Sequence, residues 1–328
     1  MAITASTGES THNGPRPINM AKDVAQVLAL LELVFGDNMD AVNRRMLQDS
    51  LGQSQAPGFL WRLNPMVAKL AQGFVWEDNG RIVGNATLLN TKQPGRYIVV
   101  NVAVHPHYRR RGIARGLMEM LEARVRQQNG REILLQVVKD NLPAVYLYQM
   151  LGYKSLGSMA TWQSSVSQVR ELLVDETTVL PSPIRELYPN EWQAAFQLDV
   201  TAVPQRLNWP EPLPEDVYKS GLWQRFNHFM NGRSQETWVI ANGQGQLVGL
   251  ASIWSEWGRM HQANVRVHPV WQGVLERPLL AKITRRLKYF PRRNIQIIHP
   301  DDDIVTTQLL ERANFYPRRV LTHMRKQL

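Results

Sequence analysis

Residues 101–118 read "NVAVHPHYRRRGIARGLM", a β-branched run that passes through three arginines and a glycine into a helical pattern. A strand feeding straight into a helix turns backbone N–H groups outward at the join. The first four amides of a helix have no internal acceptor, and the aligned peptide dipoles place partial positive charge there. Such a turn is an anion site. Gly112 has no Cβ, so a bulky anion can approach the backbone closely, and Ala114 is nearly as small. Arg109, Arg110 and Arg111 add positive charge. This combination suits a diphosphate. Standing alone, R-x-x-G-x-A is a weak signal, because a charged helix start with an incidental glycine often arises by chance. His105 and His107 form an H-P-H pair, but no third ligand accompanies them, so no metal site is expected and both read as exposed turn histidines.

The elements that must position this turn repeat along the chain. "NVAVHP" at 101 recurs as "NVRVHP" at 264, an offset of 163 residues. Upstream, 73–89 resembles 237–254, and both read as strand, Asn-Gly turn, strand. Downstream, "LYQMLGY" (147–153) aligns with "LLERANF" (309–315). Three matches in one order at nearly one offset identify a tandem repeat. The join is expected near 175–187, where prolines interrupt the periodicity.

In the first repeat, Met20 to Phe35 reads as an amphipathic helix and Ala41 to Leu51 as another. The hairpin 73–89 and a strand over 97–104 follow. A helix over 112–128 sets Ala114, Leu117, Met118, Leu121 and Val125 on one face. Arg115–Glu119 and Glu122–Arg126 are i,i+4 pairs on its polar side, and Gly130 ends it. Strand 132–138 precedes a short helix capped by Asn141, with Pro143 in its first turn and Gly152 closing it. Strand–helix–strand–helix after a hairpin implies a mixed sheet with helices on its faces.

Bulk composition narrows the classes. The 328 residues are 44% hydrophobic and 20% charged, as in a globular protein of two domains. No apolar run is long enough to span a membrane. The polar N-terminus has no apolar leader segment and reads as a flexible tail. The absence of cysteine rules out disulfides, thiolate metal ligands and cysteine nucleophiles. A cytoplasmic location fits best. The formal charge of +10 favours anionic partners. The basic stretch Arg285, Arg286, Lys288, Arg292, Arg293 has no base-reading module beside it, so nucleic acid is a disfavoured partner.

With these residues assembled, the first half resembles the GNAT superfamily of acyl-CoA N-acyltransferases. Its pyrophosphate motif is filled by Arg109, Gly112 and Ala114 after Val104 and Pro106, and its second motif by Asn141, Ala144, Leu147, Tyr148, Gly152 and Tyr153. The resemblance covers residues 16–165 well and 183–328 as a worn copy. It implies an α/β (α+β) fold of two tandem GNAT-like domains, each a mixed central sheet flanked by helices with a splayed acyl-CoA cleft. Residues 1–15 would be a tail, 16–175 the domain with the acetyl-CoA site, and 176–328 a degenerate GNAT-like domain.

By the same resemblance, acetyl-CoA is the co-substrate. Val102, Ala103 and Val104 would offer main-chain groups to its pantetheine arm, with Asn141 hydrogen bonding on that side. The turn from Arg109 through Arg110, Arg111, Gly112, Ile113, Ala114 and Arg115 would hold the pyrophosphate. Tyr148 would protonate the departing thiolate, since a tyrosine with a pKa of about 10 stays protonated at neutral pH. The glutamate that N-terminal acetylating members often carry five residues before the asparagine is Gln136 here, so the base is a water relay, held by Asn101 or Gln136, or a residue from elsewhere. The acceptor would be a small-molecule amine or a peptide N-terminus. In the second copy Leu275 replaces Gly112, Glu276 brings negative charge, Asp303 replaces Asn141 and Leu310 replaces Tyr148. That half is expected not to bind coenzyme A in the usual way. The competing function is a non-catalytic coenzyme-binding or protein-interaction module.

Overall fold

The computed structural model describes residues 13–36, 69–174, 179–208, 212–219 and 232–328. The expected helix over 41–51, the bulk of the tail and most of the aromatic stretch 209–230 lie outside these residues. The chain packs as two compact units. One comprises residues up to Gln136, Pro143–Lys154 and Met324–Leu328; the other comprises Val137–Leu142 and Ser155–His323. Boundaries at 175 and 176 follow the repeat, whereas these units follow packing. Among the described residues no helix is long and apolar enough to cross a membrane.

In the first unit, strands β1 (Gly14–Pro17), β2 (Gly73–Asp78), β3 (Arg81–Asn90) and β4 (Arg96–Val104) form an antiparallel ladder, and β5 (Glu132–Val138) joins β4 in parallel. Asn79 and Gly80 both take left-handed φ values, 49° and 76°, as the tight β2–β3 turn requires. Helix α1 (Val24–Phe35) buries Val24, Val27, Leu28 and Leu31, at helical spacing, against Val75, Ile82 and Ala103. It starts four residues later than the sequence pattern suggests. The Asp23 carboxylate accepts from the Asn19 N–H at 2.6 Å and from Arg16, which closes a separate turn ahead of the helix.

Helix α2 (Ile113–Gln127) buries Ile113, Leu117, Met118, Leu121 and Val125. Glu122 departs from the sequence expectation. It does lie 3.7 Å from Arg126, but it is only 4% exposed and its Oε2 accepts from Lys326 Nζ at 2.5 Å. A carboxylate on the inner side of this helix needs that cation, because an unpaired buried charge is costly. At the helix end the left-handed residue is Asn129 (φ 54°), not Gly130. Gly130 is required for space: a Cβ there would sit 2.2 Å from Val125 Cγ1. Helix α3 (Leu142–Met150) closes at Gly152 (φ 86°), with the Tyr153 N–H donating to the Tyr148 carbonyl at 2.9 Å.

The second unit repeats the plan. Its strands, β6 (Lys154–Ser165), β7 (Arg185–Glu186), β8 (Arg233–Ala241), β9 (Leu247–Glu256), β10 (His261–Val267), β11 (Asn294–Pro300) and β12 (Tyr316–Gln327), follow the order β12-β6-β11-β10-β9-β8-β7. Strand β6 runs antiparallel to β11, from Asn294↔Ser165 to Pro300↔Met159. Helices α4 (Trp192–Ala202), α5 (Glu276–Leu287) and α6 (Ile304–Arg312) cover the sheet. Leu279, Leu280, Ile283 and Leu287 of α5 meet Ile253, Ile295 and Ile297 in the core. The β8–β9 connection is not the two-residue turn its Asn-Gly suggests. Asn242 Oδ1 accepts from the N–H groups of Gln244 and Gln246, and Gly245 takes the left-handed conformation.

Candidate functional site

The edge of β4 sets the site. Its register against β3 passes from Asn85↔Ala103 to Thr87↔Val100, so β4 carries one extra residue. Asn101 takes φ 56° at this bulge, and its carbonyl accepts from Nδ2 of the buried Asn85 at 2.9 Å. A bulge bends the strand and re-aims its groups. The sequence treated 97–104 as a plain strand, although an asparagine inside a β-branched run was a usable warning. The parallel register of β4 with β5 ends at Val99↔Leu135. Val102, Ala103 and Val104 lie past that end. The Ala103 side chain is buried under α1, so only its main chain can meet a ligand.

From Val104 the chain makes one short turn, Pro106–Tyr108, and enters α2. His105 Nδ1 accepts from the His107 N–H at 3.3 Å, which gives this histidine a capping role. Arg109 Nε donates to the Val104 carbonyl at 3.3 Å. Arg110 is itself left-handed, at φ 62°. The Arg111 guanidinium lies 4.9 Å from the centre of the Tyr108 ring. Gly112 caps α2 at φ 79° and ψ −2°, and a Cβ placed on it would meet nothing within 4 Å. The glycine is therefore demanded by backbone conformation, and the space in front of it is open.

The first helical bond of α2 joins the Gly116 N–H to the Gly112 carbonyl at 2.9 Å. The amides of Ile113, Ala114 and Arg115 have no helical acceptor, and no acidic residue occupies this first turn. Arg115 reaches Glu119 at 2.9 Å on the exposed face. Two further glycines, missed in the sequence, hold the helix start against the sheet. A Cβ on Gly84 would lie 2.7 Å from Ile113, and one on Gly116 would lie 2.7 Å from Trp76.

Tyr148 lies in α3, 6% exposed, with its ring edge-to-face against Tyr153 at 6.0 Å. Burial pushes its hydroxyl pKa up to about 12. Burial and the nearby Glu122 carboxylate raise Tyr153 as well. Asn141 directly precedes α3, and its N–H donates to the Val138 carbonyl at 3.0 Å. One continuous strand–turn–helix thus brings Val102–Val104 and Arg109–Arg115 together. Tyr148 packs with the same unit, and Asn141 with the other.

In the second repeat the equivalent turn is built differently. Leu275 sits at the helix start with φ −97° and is fully buried. Glu276 Oε1 accepts from the Gly273 N–H at 2.9 Å. Part of the basic stretch is paired: Arg285 and Lys288 share Glu171, and Arg286 grips both oxygens of Glu236. Arg293 donates to the Glu256 carbonyl at 2.6 Å. Among the described residues no cluster suited to a metal ion occurs.

Residues 42–153 match the model of the acetyltransferase (GNAT) family. The peptidyl-lysine N-acetyltransferase YiaC of Escherichia coli K12 is 32% identical over 83 residues, 25% of this chain and 50% of that protein. An N-alpha-acetyltransferase of Saccharolobus solfataricus is 41% identical over 59 residues, 18% of this chain and 35% of that protein. The chain thus spans half the length, or less, of these relatives. A GCN5-related N-acetyltransferase from Sphaerobacter thermophilus superposes with a TM-score of 0.58 at 15% identity, covering 95% of each chain. That likeness concerns the fold alone.

Proposed function

We propose that this chain, whose residues 42–153 match the acetyltransferase (GNAT) family, transfers an acetyl group from acetyl-CoA to a primary amine by direct attack in a ternary complex. The observation that carries this reading is the open start of α2. Among the described residues, the left-handed Gly112 opens onto free space, and no acidic residue occupies the first turn that carries the Ile113–Arg115 amides. Three amides on a helix dipole suit the coenzyme's pyrophosphate. The main chain of Val102–Val104, beyond the last β4–β5 pair, suits the pantetheine arm.

In the reaction the amine nitrogen attacks the thioester carbonyl carbon. The tetrahedral intermediate collapses with cleavage of the C–S bond; the sulfur takes a proton, and the attacking nitrogen loses one through water, which restores the donor. Tyr148 is our donor for that proton. A hydroxyl pushed up to about 12 by burial stays protonated at any working pH, so the proton is available. Its transfer to a thiolate, the weaker base, is uphill and has to be coupled to C–S cleavage and to loss of the proton from the attacking nitrogen. The N–H groups beside the Asn101 bulge are the candidates for stabilising the oxyanion. Gln136 cannot act as a base. An acceptor whose amine has a pKa near 8, such as a peptide α-amino group, therefore needs less help than a lysine near 10.4.

The test is release of free coenzyme A thiol with a panel of primary amines, comparing the wild type with Tyr148→Phe. Turnover with at least one amine, lost in the variant, is the expected result. Tight coenzyme binding without turnover of any amine would favour the non-catalytic module instead.

A further inference from the structure

The second unit contains a cavity of about 480 Å³ where the first has its open helix start. Its wall is formed by Val265–Val267 of β10, Glu276 at the head of α5, His299 on β11, and Asp303 and Thr306 at the head of α6. A volume of this order is that of a small-molecule site.

Its lining holds buried polar atoms without partners. Glu276 is 3% exposed; Oε1 is taken by the Gly273 N–H, and the buried Oε2 has no hydrogen-bond partner. His299 is 2% exposed, stacks on Trp162 with ring centres 6.2 Å apart, and neither ring nitrogen has a partner. Asp303 caps α6 through the Thr306 N–H at 2.9 Å, and its charge acts on both Glu276 and His299. The wall's buried cation, by contrast, is matched: Arg266 Nε lies 2.6 Å from Asp199 Oδ1, and Tyr218 donates to the other oxygen of that carboxylate. Arg206 is exposed at the rim. What remains unmet is one carboxylate oxygen of Glu276 and both ring nitrogens of His299, one of which accepts and one donates in the neutral imidazole. Such buried groups normally have partners.

We propose that this cavity binds a small molecule carrying a protonated primary amine, with the ammonium donating to Glu276 Oε2 and to a ring nitrogen of His299. Burial pushes the Glu276 carboxyl pKa up, and an ammonium beside it holds it ionised; an ionised Glu276 at the α5 start disfavours an anion. Burial favours the neutral imidazole, which offers one accepting nitrogen. The inference stands apart from the acetyl-transfer reading, since every residue it uses belongs to the second unit.

The experiment titrates the full chain with n-butylammonium, with n-butanol as the uncharged control and with coenzyme A. It follows the side-chain NMR signals of ¹⁵N-labelled histidines and the heat of binding. The expected result is a saturable shift of the His299 signals with the amine and none with butanol, together with affinity at least tenfold weaker in Glu276→Gln. If Glu276→Gln fails to fold, Glu276→Asp, which withdraws the carboxylate by one methylene, should weaken amine binding in the same calorimetric titration, and undiminished affinity in it overturns the proposal. An amine that leaves His299 unmoved, or one bound equally by wild type and Glu276→Gln, overturns the proposal. So does coenzyme A displacing the amine from the His299 site.

Discussion

The two repeats have the same strand–turn–helix, and they part at a few positions. Both carry a histidine that caps the turn through Nδ1, and both set a glycine of the preceding strand against the helix. The first adds a bulge at Asn101, a left-handed Gly112 and a helix start free of carboxylate. The second has an unbroken register from Gln262↔Trp254 to Val267↔Gly249. It has a buried Leu275 in right-handed geometry and Glu276 bonded to its own turn. What the copies share is what packing needs. What they do not share is what an anionic ligand needs, and those features are missing together from the second copy.

The largest effect expected falls on the proposed proton donor. Tyr148→Phe removes the hydroxyl and keeps the ring that packs on Tyr153. A general acid contributes about 10²–10⁴-fold. The turnover number should drop by that order while the KM for acetyl-CoA changes little. The pH profile sharpens the assignment. The useful form is protonated, and burial raises the pKa to about 12, so kcat should show no fall from this group up to pH 10. A descending limb centred below pH 10 in the wild type and absent in Tyr148→Phe would contradict the raised value. The counterpart Leu310 is fully buried, so Leu310→Tyr should give no activity to the second unit.

Next comes the helix start. Gly112→Glu forces a side chain into φ 79°, which costs about 1–2 kcal/mol. It also sets a carboxylate where the phosphates are expected. Coenzyme A affinity, measured by calorimetry, should fall about a hundredfold or more with the circular dichroism unchanged. Undiminished affinity would sink the reading of this turn. The reverse exchange, Leu275→Gly with Glu276→Ile, should not create coenzyme binding in the second unit, because β10 still lacks the bulge.

The sequence made the repeat, the hairpins, the helix α2 face and the glycine turn at its start legible, since each depends on neighbours within a few residues. Tyr148 and the Gly112 turn were found through a motif whose spacing survives intact. Gln136 and Leu275 stood out as departures from it. The bulge at Asn101, the burial of Glu122 and the roles of Gly84 and Gly116 were not legible. Each depends on a partner distant in sequence: Asn85, Lys326, Ile113 and Trp76. The lining of the second cavity was hidden for the same reason. His299 and Glu276 are brought to one wall only by the parallel β10–β11 pairing and the packing of α5.

A smaller effect separates the two packing glycines. A Cβ on Gly84 would come 2.7 Å from Ile113, whereas one on Gly249 would stand 3.2 Å from Leu279. Overpacking costs about 1–3 kcal/mol where a neighbour must move. Gly84→Ala should sit in that range by urea unfolding and also weaken coenzyme binding by tilting the α2 start. Gly249→Ala should cost clearly less. Equal costs would mean that the two helix–sheet contacts do not differ as their distances imply.

The smallest effect tests whether the shared histidines belong to the chemistry at all. His105 accepts from the His107 N–H at 3.3 Å, and His268 accepts from the Val270 N–H at 3.4 Å. Their main chains are anchored alike: the His105 N–H donates to Val83 and the His268 N–H to Val248, both at 2.9 Å. Bonds this long are weak ones, and a lost side-chain cap costs about 0.5–1 kcal/mol. His105→Ala and His268→Ala should therefore destabilise the chain by similar small amounts, with turnover near that of the wild type in both. A repeat that has dropped its glycine, its tyrosine and its bulge has no reason to retain a histidine needed only for acetyl transfer. If His105→Ala abolished turnover while keeping its stability, and His268→Ala did not, this histidine would move from the scaffold into the reaction.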